Sequence, residues 1–320
     1  MTSSSIRSRL AAFSLVGLVL GPAAPASAAC GPSPLPADAP IALVLSGGGA
    51  KGAYEAGVAA ALVERGVPIR LAAGSSAGAL NAAMIADGRL DRLEALWRGL
   101  TRDRVYSLRT RVFFAGLLPG WLTLLTLDRA GSLFDPEPLR ELIGASLDLE
   151  RIRASPVRLL VVTTDLQRRE PRVFDNRSVT REVLMAAAAV PGAFPAVDVG
   201  GTLLVDGGLT GRAPVLEALA AGTAVERVVV VMSYAPQEQG SPPTTMRRAL
   251  EEAFEMGMIH QIRRDVELAR FKFPGVEVEL LTPSAPLALR PLEFDPAGMA
   301  RALERGRADA VACLSGWGKR

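Results

Sequence analysis

Residues 41–81, IALVLSGGGAKGAYEAGVAAALVERGVPIRLAAGSSAGALN, decide how this chain folds. Ile41 to Leu45 is a continuous apolar run, as expected for a strand covered on both faces. Gly47, Gly48, Gly49 and Gly52 then make a glycine-rich turn, open to backbone conformations and close approaches that a Cβ would block. Ala53 to Arg65 reads as a helix from its Ala, Leu and Glu content, and Gly66 stops it. A second apolar run, Ile69 to Ala73, leads into Gly74-Ser75-Ser76-Ala77-Gly78, with a further helix over Ala77 to Ala86. Two strand-to-helix turns are therefore expected side by side. One is lined with backbone N–H groups and the other presents a serine.

Outward from this stretch, composition sets the scale. With 320 residues and 49% hydrophobic content, the chain can bury a sizeable core as one large domain or two small ones. Residues 1–28 read as an export signal. Arg7 and Arg9 precede an apolar stretch from Leu10 to Leu20, and Ala26-Ser27-Ala28 matches the small-residue cleavage pattern. The apolar part is short of the roughly 20 residues that span a bilayer. The net charge of +3, less Arg7 and Arg9, leaves a near-neutral +1 and no nucleic-acid footprint. Cys30 follows the cleavage site. It either carries a lipid anchor or pairs with Cys313 in an oxidising compartment.

Residues 29–40, rich in Pro and Ala, read as an extended lead-in to a single domain over 41–320. Its motif-bearing core is 41–232 and a C-terminal helical extension covers 245–314. Helices are expected at Leu90–Leu100, Asp135–Ile143, Val179–Val190, Pro214–Ala221, Met246–Phe271 and Pro296–Leu314. Strands are expected at Val157–Thr163, Arg172–Phe174, Thr202–Val205, Arg227–Met232 and Val276–Leu281. Strands alternating with helices predict an α/β fold in three layers, a mostly parallel sheet with helices on both faces. Val112–Leu127 (VFFAGLLPGWLTLLTL) carries no charge and follows Arg102, Arg104, Arg109 and Arg111. It reads either as a buried helical hairpin broken at Pro119-Gly120 or as a cap making peripheral membrane contact.

Gly74-x-Ser76-x-Gly78 is the nucleophile-elbow pattern, in which a sharp strand-to-helix turn exposes a serine hydroxyl. The Gly47–Gly49 turn supplies amides of the kind that stabilise a tetrahedral oxyanion. A nucleotide-phosphate loop is the competing reading of GGGAKG, but its pattern is not met, because Lys51-Gly52 is followed by Ala53. For the base, His260 is the chain's single histidine, mid-helix and roughly opposite the apolar stripe. The order Ser76, Asp206, His260 formally permits a triad, although an elbow on the second strand does not fit the α/β-hydrolase layout. Asp206 is the better candidate, ending a short apolar strand before Gly207-Gly208. A free aspartate, with a pKa near 3.9, is poorly matched to serine. Hydrogen-bonded to the hydroxyl in a dry site, its proton affinity rises.

Gly47-Gly48-Gly49-Ala50-Lys51-Gly52, Gly74-x-Ser76-x-Gly78 and Asp206-Gly207-Gly208, in that order, resemble the patatin-like phospholipase family, here as a bacterial, exported member. Ala186 to Pro195 (AAAAVPGAFP) is similar to the family's alanine-rich segment ending in proline, phenylalanine and proline. The resemblance runs from about Ile41 to Val231 and is loose beyond about residue 235. It implies a patatin-like serine acyl hydrolase fold with Ser76 as nucleophile and Asp206 as general base. It also implies an oxyanion hole at Gly47, Gly48 and Gly49, supported by Lys51, Gly52, Gly74, Gly78, Gly207 and Gly208. The implied reaction is hydrolysis of carboxylic ester bonds of lipids, of the phospholipase A or lysophospholipase type, without metal, cofactor or nucleotide. Lys51 stands where the family often has arginine, and Ala187 where a serine is common. Two other readings remain: an exported module that binds a lipid or partner without catalysis, and a Ser-His-Asp esterase using His260.

Overall fold

The computed structural model describes residues 30, 33–115, 122–123, 129, 131–236 and 242–318. The first half runs β1 (Ser33–Pro36), β2 (Ile41–Leu45), α1 (Gly52–Glu64), β3 (Ile69–Gly74), α2 (Ala77–Ala86) and α3 (Leu90–Gly99). There follow β4 (Ser107–Leu108), α4 (Thr110–Ala115), β5 (Phe134–Asp135), α5 (Glu137–Ser146) and α6 (Leu149–Ala154). The second half contains β6 (Arg158–Asp165), β7 (Glu170–Asp175), α7 (Arg181–Ala187), β8 (Val197–Val199), β9 (Thr202–Asp206) and α8 (Val215–Ala220). It closes with β10 (Arg227–Val231), α9 (Met246–Lys272), β11 (Glu277–Leu281), α10 (Pro296–Ser315) and β12 (Trp317–Gly318).

The main sheet has the order β11-β10-β2-β3-β6-β9-β8, with β7 also paired to β6. Every pairing from β11 through to β6 is parallel. The pairings of β6 with β7 and β9, and of β8 with β9, are antiparallel. Period-2 alternation divides the core between two faces. Ile41, Leu43 and Leu45 pack with α1, α2 and α10 on one side. Ala42 and Val44 meet Val215 and Ala218 of α8 and Ile262 and Val266 of α9 on the other. That is the expected three-layer arrangement, and it explains why β2 and β10 are apolar throughout.

Several details differ from the sequence reading. Within residues 245–314 the strand expected at Val276–Leu281 is β11, which forms an edge of the main sheet, and α10 lies in the same hydrophobic core as α1. The apolar stripe of α9 is buried only in its later part. Met258, Ile262 and Val266 are covered, whereas Met246 is 81% and Leu250 65% exposed. Of Val112–Leu127, residues 116–121 and 124–127 lie outside the described residues, so the choice between hairpin and cap does too; Phe113 and Phe114 on α4 are exposed. The short pair β4–β5 and the strand β8 carry no signal that the sequence reading used.

The chain ends are tied together. Cys30 and Cys313 form a disulfide with Cα atoms 5.3 Å apart, which takes the sulfur that a lipid anchor at Cys30 requires. Next to it β1 pairs in parallel with β12. The Arg227 guanidinium stacks 3.7 Å from the Trp317 ring centroid. Its NH groups donate to Ser33 Oγ and to the carbonyls of Leu35 (2.9 Å) and Pro36 (3.2 Å). Among the described residues no helix is long and apolar enough to cross a membrane.

Candidate active site

Strand register brings the two distant motifs together. β6 offers one edge to β7 and the other to β3, which leaves it where Gly74 pairs with Val161. β9 takes up that same edge from the opposite direction, with Asp206 paired to Thr163. The carboxyl ends of β3 and β9 therefore meet nearly head-on along β6. Ser76 lies two residues beyond Gly74, and Asp206 closes β9.

Ser76 has the backbone of a tight elbow, with φ 54° and ψ −137°. A non-glycine residue held at positive φ costs on the order of 1–3 kcal/mol and is maintained by its surroundings. Here the Ser76 N–H donates to Ala187 O at 3.0 Å, and α2 starts at once with Ala77. Behind it, the Ser75 hydroxyl donates to Arg212 O at 2.5 Å. A Cβ on Gly78 would stand 2.8 Å from Gly47 N, so serine turn and glycine turn are in contact through backbone alone. Gly74 is as tightly enclosed by the start of α2, and Gly207 by the Val162 carbonyl. Gly52 faces Ala77 and Trp97, and Gly208 lies against the Arg212 side chain.

Gly47, Gly48 and Gly49 take φ of 73°, 122° and 58°, which is why glycine is needed in this turn. Their amides are not equivalent. Gly47 N–H donates to Glu55 Oε1 at 2.7 Å, and Ala50 N–H to Pro291 O at 2.8 Å. Glu55 is fully buried under the turn. It also accepts from Ser46 Oγ at 3.1 Å and from Asn81 Nδ2 at 3.3 Å. Asn81, on α2, donates as well to Gly52 O and accepts from the Trp97 indole. Burial pushes the Glu55 carboxyl up to about 7, against the opposing pull of these donors and the Arg212 charge.

Asp206 is 1% exposed. Its Oδ1 accepts from Gly208 N–H at 2.7 Å, while Oδ2 is buried without a hydrogen bond of good geometry. Burial raises its pKa, opposed by the Arg212 charge, the Gly208 N–H and the Ser76 hydroxyl. The Arg212 guanidinium, itself 3% exposed, lies 4.0 Å from Asp206 Oδ1. Lys51 Nζ lies 3.9 Å from the Tyr234 ring centroid and 3.5 Å from Glu255 Oε2.

Ser76, Gly48, Gly49 and Arg212 open into a cavity of about 1300 Å³. That exceeds the roughly 300–1,000 Å³ usual for small-molecule sites. Its inner wall is apolar, with Met84, Leu93, Trp97, Leu139, Ile143 and Phe194 among the lining side chains. Half-exposed Leu133, Leu209, Leu250 and Phe254 stand on its walls as well. His260 is exposed on α9 and is not part of this wall. Among the described residues no group of His, Cys, Asp and Glu is placed to hold a metal ion. Glu55, Asn81 and Arg212 escaped the sequence reading, since each is a single polar residue whose role depends on a partner far away in the chain.

The family model for patatin-like phospholipase matches residues 43–219. The chain belongs to the patatin-like phospholipase family. This patatin-like chain is 33% identical over 175 residues to an uncharacterized NTE family protein of Mycobacterium tuberculosis, covering 54% of the chain and 44% of the relative. It is 29% identical over 205 residues to patatin-like phospholipase domain-containing protein 7 of Mus musculus, covering 62% of the chain and 14% of that protein. The chain thus spans less than half the length of these curated relatives. Among solved structures, VipD from Legionella pneumophila aligns with a TM-score of 0.52 at 18% identity, over 89% of this chain and 70% of that one. At that identity the likeness bears on the fold alone.

Proposed function

We propose that this patatin-like protein is a serine acyl hydrolase that cleaves carboxylic esters of lipids with a Ser76–Asp206 dyad. The carrying observation is the meeting of an elbow serine and a buried, half-satisfied carboxylate beside an apolar cavity of about 1300 Å³. In this reading Ser76 Oγ attacks the ester carbonyl as Asp206 takes its proton, and the carbonyl π pair moves onto oxygen. Collapse of the tetrahedral adduct breaks the bond to the leaving alkoxide, which receives the proton from Asp206. Water then clears the acyl-enzyme with Asp206 again as base. Gly48 and Gly49 supply the oxyanion amides, since the Gly47 N–H is engaged by Glu55. Gly47 therefore acts as a scaffold for the other two. Raised proton affinity suits Asp206 to the task, because a base that releases its proton too easily takes it up poorly.

Acyl chains suit the cavity's apolar wall, and phospholipid or lysophospholipid esters are the substrate class. The exposed leucines and Phe254 around the opening favour uptake from a lipid surface. An oxidising compartment outside the cytoplasm fits both the signal-like residues 1–28 and the Cys30–Cys313 bond. The decisive experiment is fluorophosphonate labelling of the folded protein with mapping of the adduct, alongside hydrolysis of a lipid panel. A folded protein that is neither labelled at Ser76 nor active on any ester overturns the reading. Biological activity retained in Ser76→Ala makes it a binding module.

A further inference from the structure

In the resting site Arg212 is a buried cation with an unfilled fork. Its Nε is buried without an acceptor, and no acceptor among the described residues closes a hydrogen bond on the guanidinium. An arginine this deep normally forms a bidentate pair, because stranded donors in a low-dielectric site cost on the order of 1–3 kcal/mol each. Its backbone is nonetheless tightly held. The Arg212 carbonyl accepts from Ser75, the neighbour of the nucleophile. Within the same turn, Thr210 is tethered to Thr164 of β6 at 2.9 Å and to Gln261 of α9 at 3.0 Å. The side chain folds back over Gly208 towards two places. One nitrogen, Nη1, is 4.0 Å from Asp206 Oδ1. The other, Nη2, lies 3.7 Å from the point where a Cβ on Gly48 would stand. The guanidinium thus lies between the base and the glycine turn, on the wall of the cavity that holds Ser76.

We infer that Arg212 is a catalytic cation that follows the migrating negative charge, facing Asp206 at rest and donating to the substrate oxyanion during attack. This rests on the Ser76–Asp206 reading and adds a residue to it. As the Oγ–carbon bond forms, the proton goes to Asp206 and the carbonyl electron pair goes to oxygen. Negative charge leaves one end of the guanidinium and appears towards the other, and the site's net charge is constant. A dyad has no imidazolium to neutralise the oxyanion, so a fixed cation fills that place. Because Arg212 stands off Asp206 without a closed hydrogen bond, its fork is open when the oxyanion forms. The interaction is then stronger in the transition state than in the ground state, which is what lowers a barrier. Lys51, the other cation beside the glycine turn, lies against the Tyr234 ring and Glu255 on α9. Glu55 of α1 also feels the Arg212 charge, and it is engaged by Gly47, Ser46 and Asn81.

The test compares wild type, Arg212→Gln and Arg212→Lys on an uncharged p-nitrophenyl acyl ester and on anionic phospholipid vesicles, across pH, with thermal melts as the folding control. Arg212→Gln is expected to lose about 100-fold in kcat on both substrates, the scale of losing an oxyanion donor. It also removes a charge that holds the Asp206 pKa down, so the acid limb of kcat/KM moves up. Arg212→Lys is expected to restore the position of that limb with only part of the rate, since lysine keeps the charge and loses the planar fork. If Arg212→Gln is too unstable to assay, Arg212→Lys decides alone, and wild-type kcat in that variant overturns the inference. A Gln variant within threefold of wild type with an unmoved limb overturns it too. Loss confined to the phospholipid also overturns it, and makes Arg212 a headgroup site. In each of these cases Ser76 remains labelled by fluorophosphonate in wild type, which separates failure of the inference from failure of the dyad.

Discussion

Glu55, beneath the glycine turn, and Asp206, at the end of β9, are both buried acids that feel the charge of Arg212, and burial raises the pKa of each. Their hydrogen bonds set them apart. Glu55 accepts from the Gly47 amide, the Ser46 hydroxyl and the Asn81 amide, which uses both of its oxygens. Asp206 accepts one backbone N–H on Oδ1, and apart from the nearby Ser76 hydroxyl no protein donor reaches Oδ2. A carboxylate saturated with donors is a brace, because moving it breaks several bonds at once. One with a free lone pair in a dry site can take a proton. Burial alone therefore does not separate the proposed base from a brace; the protein donors around each carboxyl do.

The widest gap between the two should come from removing the proposed proton acceptor itself. Asp206→Asn is expected to lower kcat by about 10³- to 10⁴-fold, as for members of other catalytic units, with an unchanged or raised melting temperature. Ester hydrolysis and a thermal melt on the same sample check this, and activity within tenfold of wild type breaks the comparison. Reducing the Cys30–Cys313 bond probes stability far from either acid. A bridge closing so long a loop is typically worth about 2–4 kcal/mol, so the melt should fall while kcat at room temperature holds.

Glu55→Ala strands the Gly47 and Asn81 donors, which should cost about 1–3 kcal/mol, read by denaturant unfolding. Its kcat should fall far less than that of Asp206→Asn. The comparison also has a pH signature. Because Glu55 is raised from 4.5 to about 7 in the folded state, folding takes up a proton there. That stabilisation is complete below the unfolded pKa and is lost as pH rises through 7. The wild-type melting temperature should therefore decline between about pH 5 and pH 8, and Glu55→Gln, which cannot titrate, should decline less. A decline of equal size in both would show that Glu55 is not the titrating group. Smallest of all, His260→Ala should leave kcat within twofold, as expected of an exposed side chain off the cavity wall. A large loss would return the base assignment to histidine.

Much of the architecture was legible because it is written in local pattern. Apolar runs such as Ile41–Leu45 and Arg227–Met232 mark buried strands, and Gly66 and Pro191 punctuate the elements between them. The serine turn was legible for the same reason, since small residues around Ser76 are what a positive φ and a close backbone neighbour demand. The α9 stripe misled in its first half, because periodicity reports a face suited to burial and not whether a partner reaches it. Met246 and Leu250 have the spacing of core residues and remain exposed.

By itself the sequence determined the order of motifs, the strand-turn-helix frame of each, and the membership of Ser76 and Asp206 in those frames. Tertiary structure decided which groups meet. β3 and β9 share one edge of β6 from opposite directions, so Gly74 and Asp206 come to lie beside Val161 and Thr163. The same packing gives the Gly47 amide to Glu55 and leaves the Arg212 Nε without an acceptor, its guanidinium between Asp206 and the glycine turn. Local sequence sets backbone conformation and the periodicity of burial through short-range sterics and solvation. Hydrogen-bond partners distant in the chain depend on strand register, which appears only once the sheet has formed.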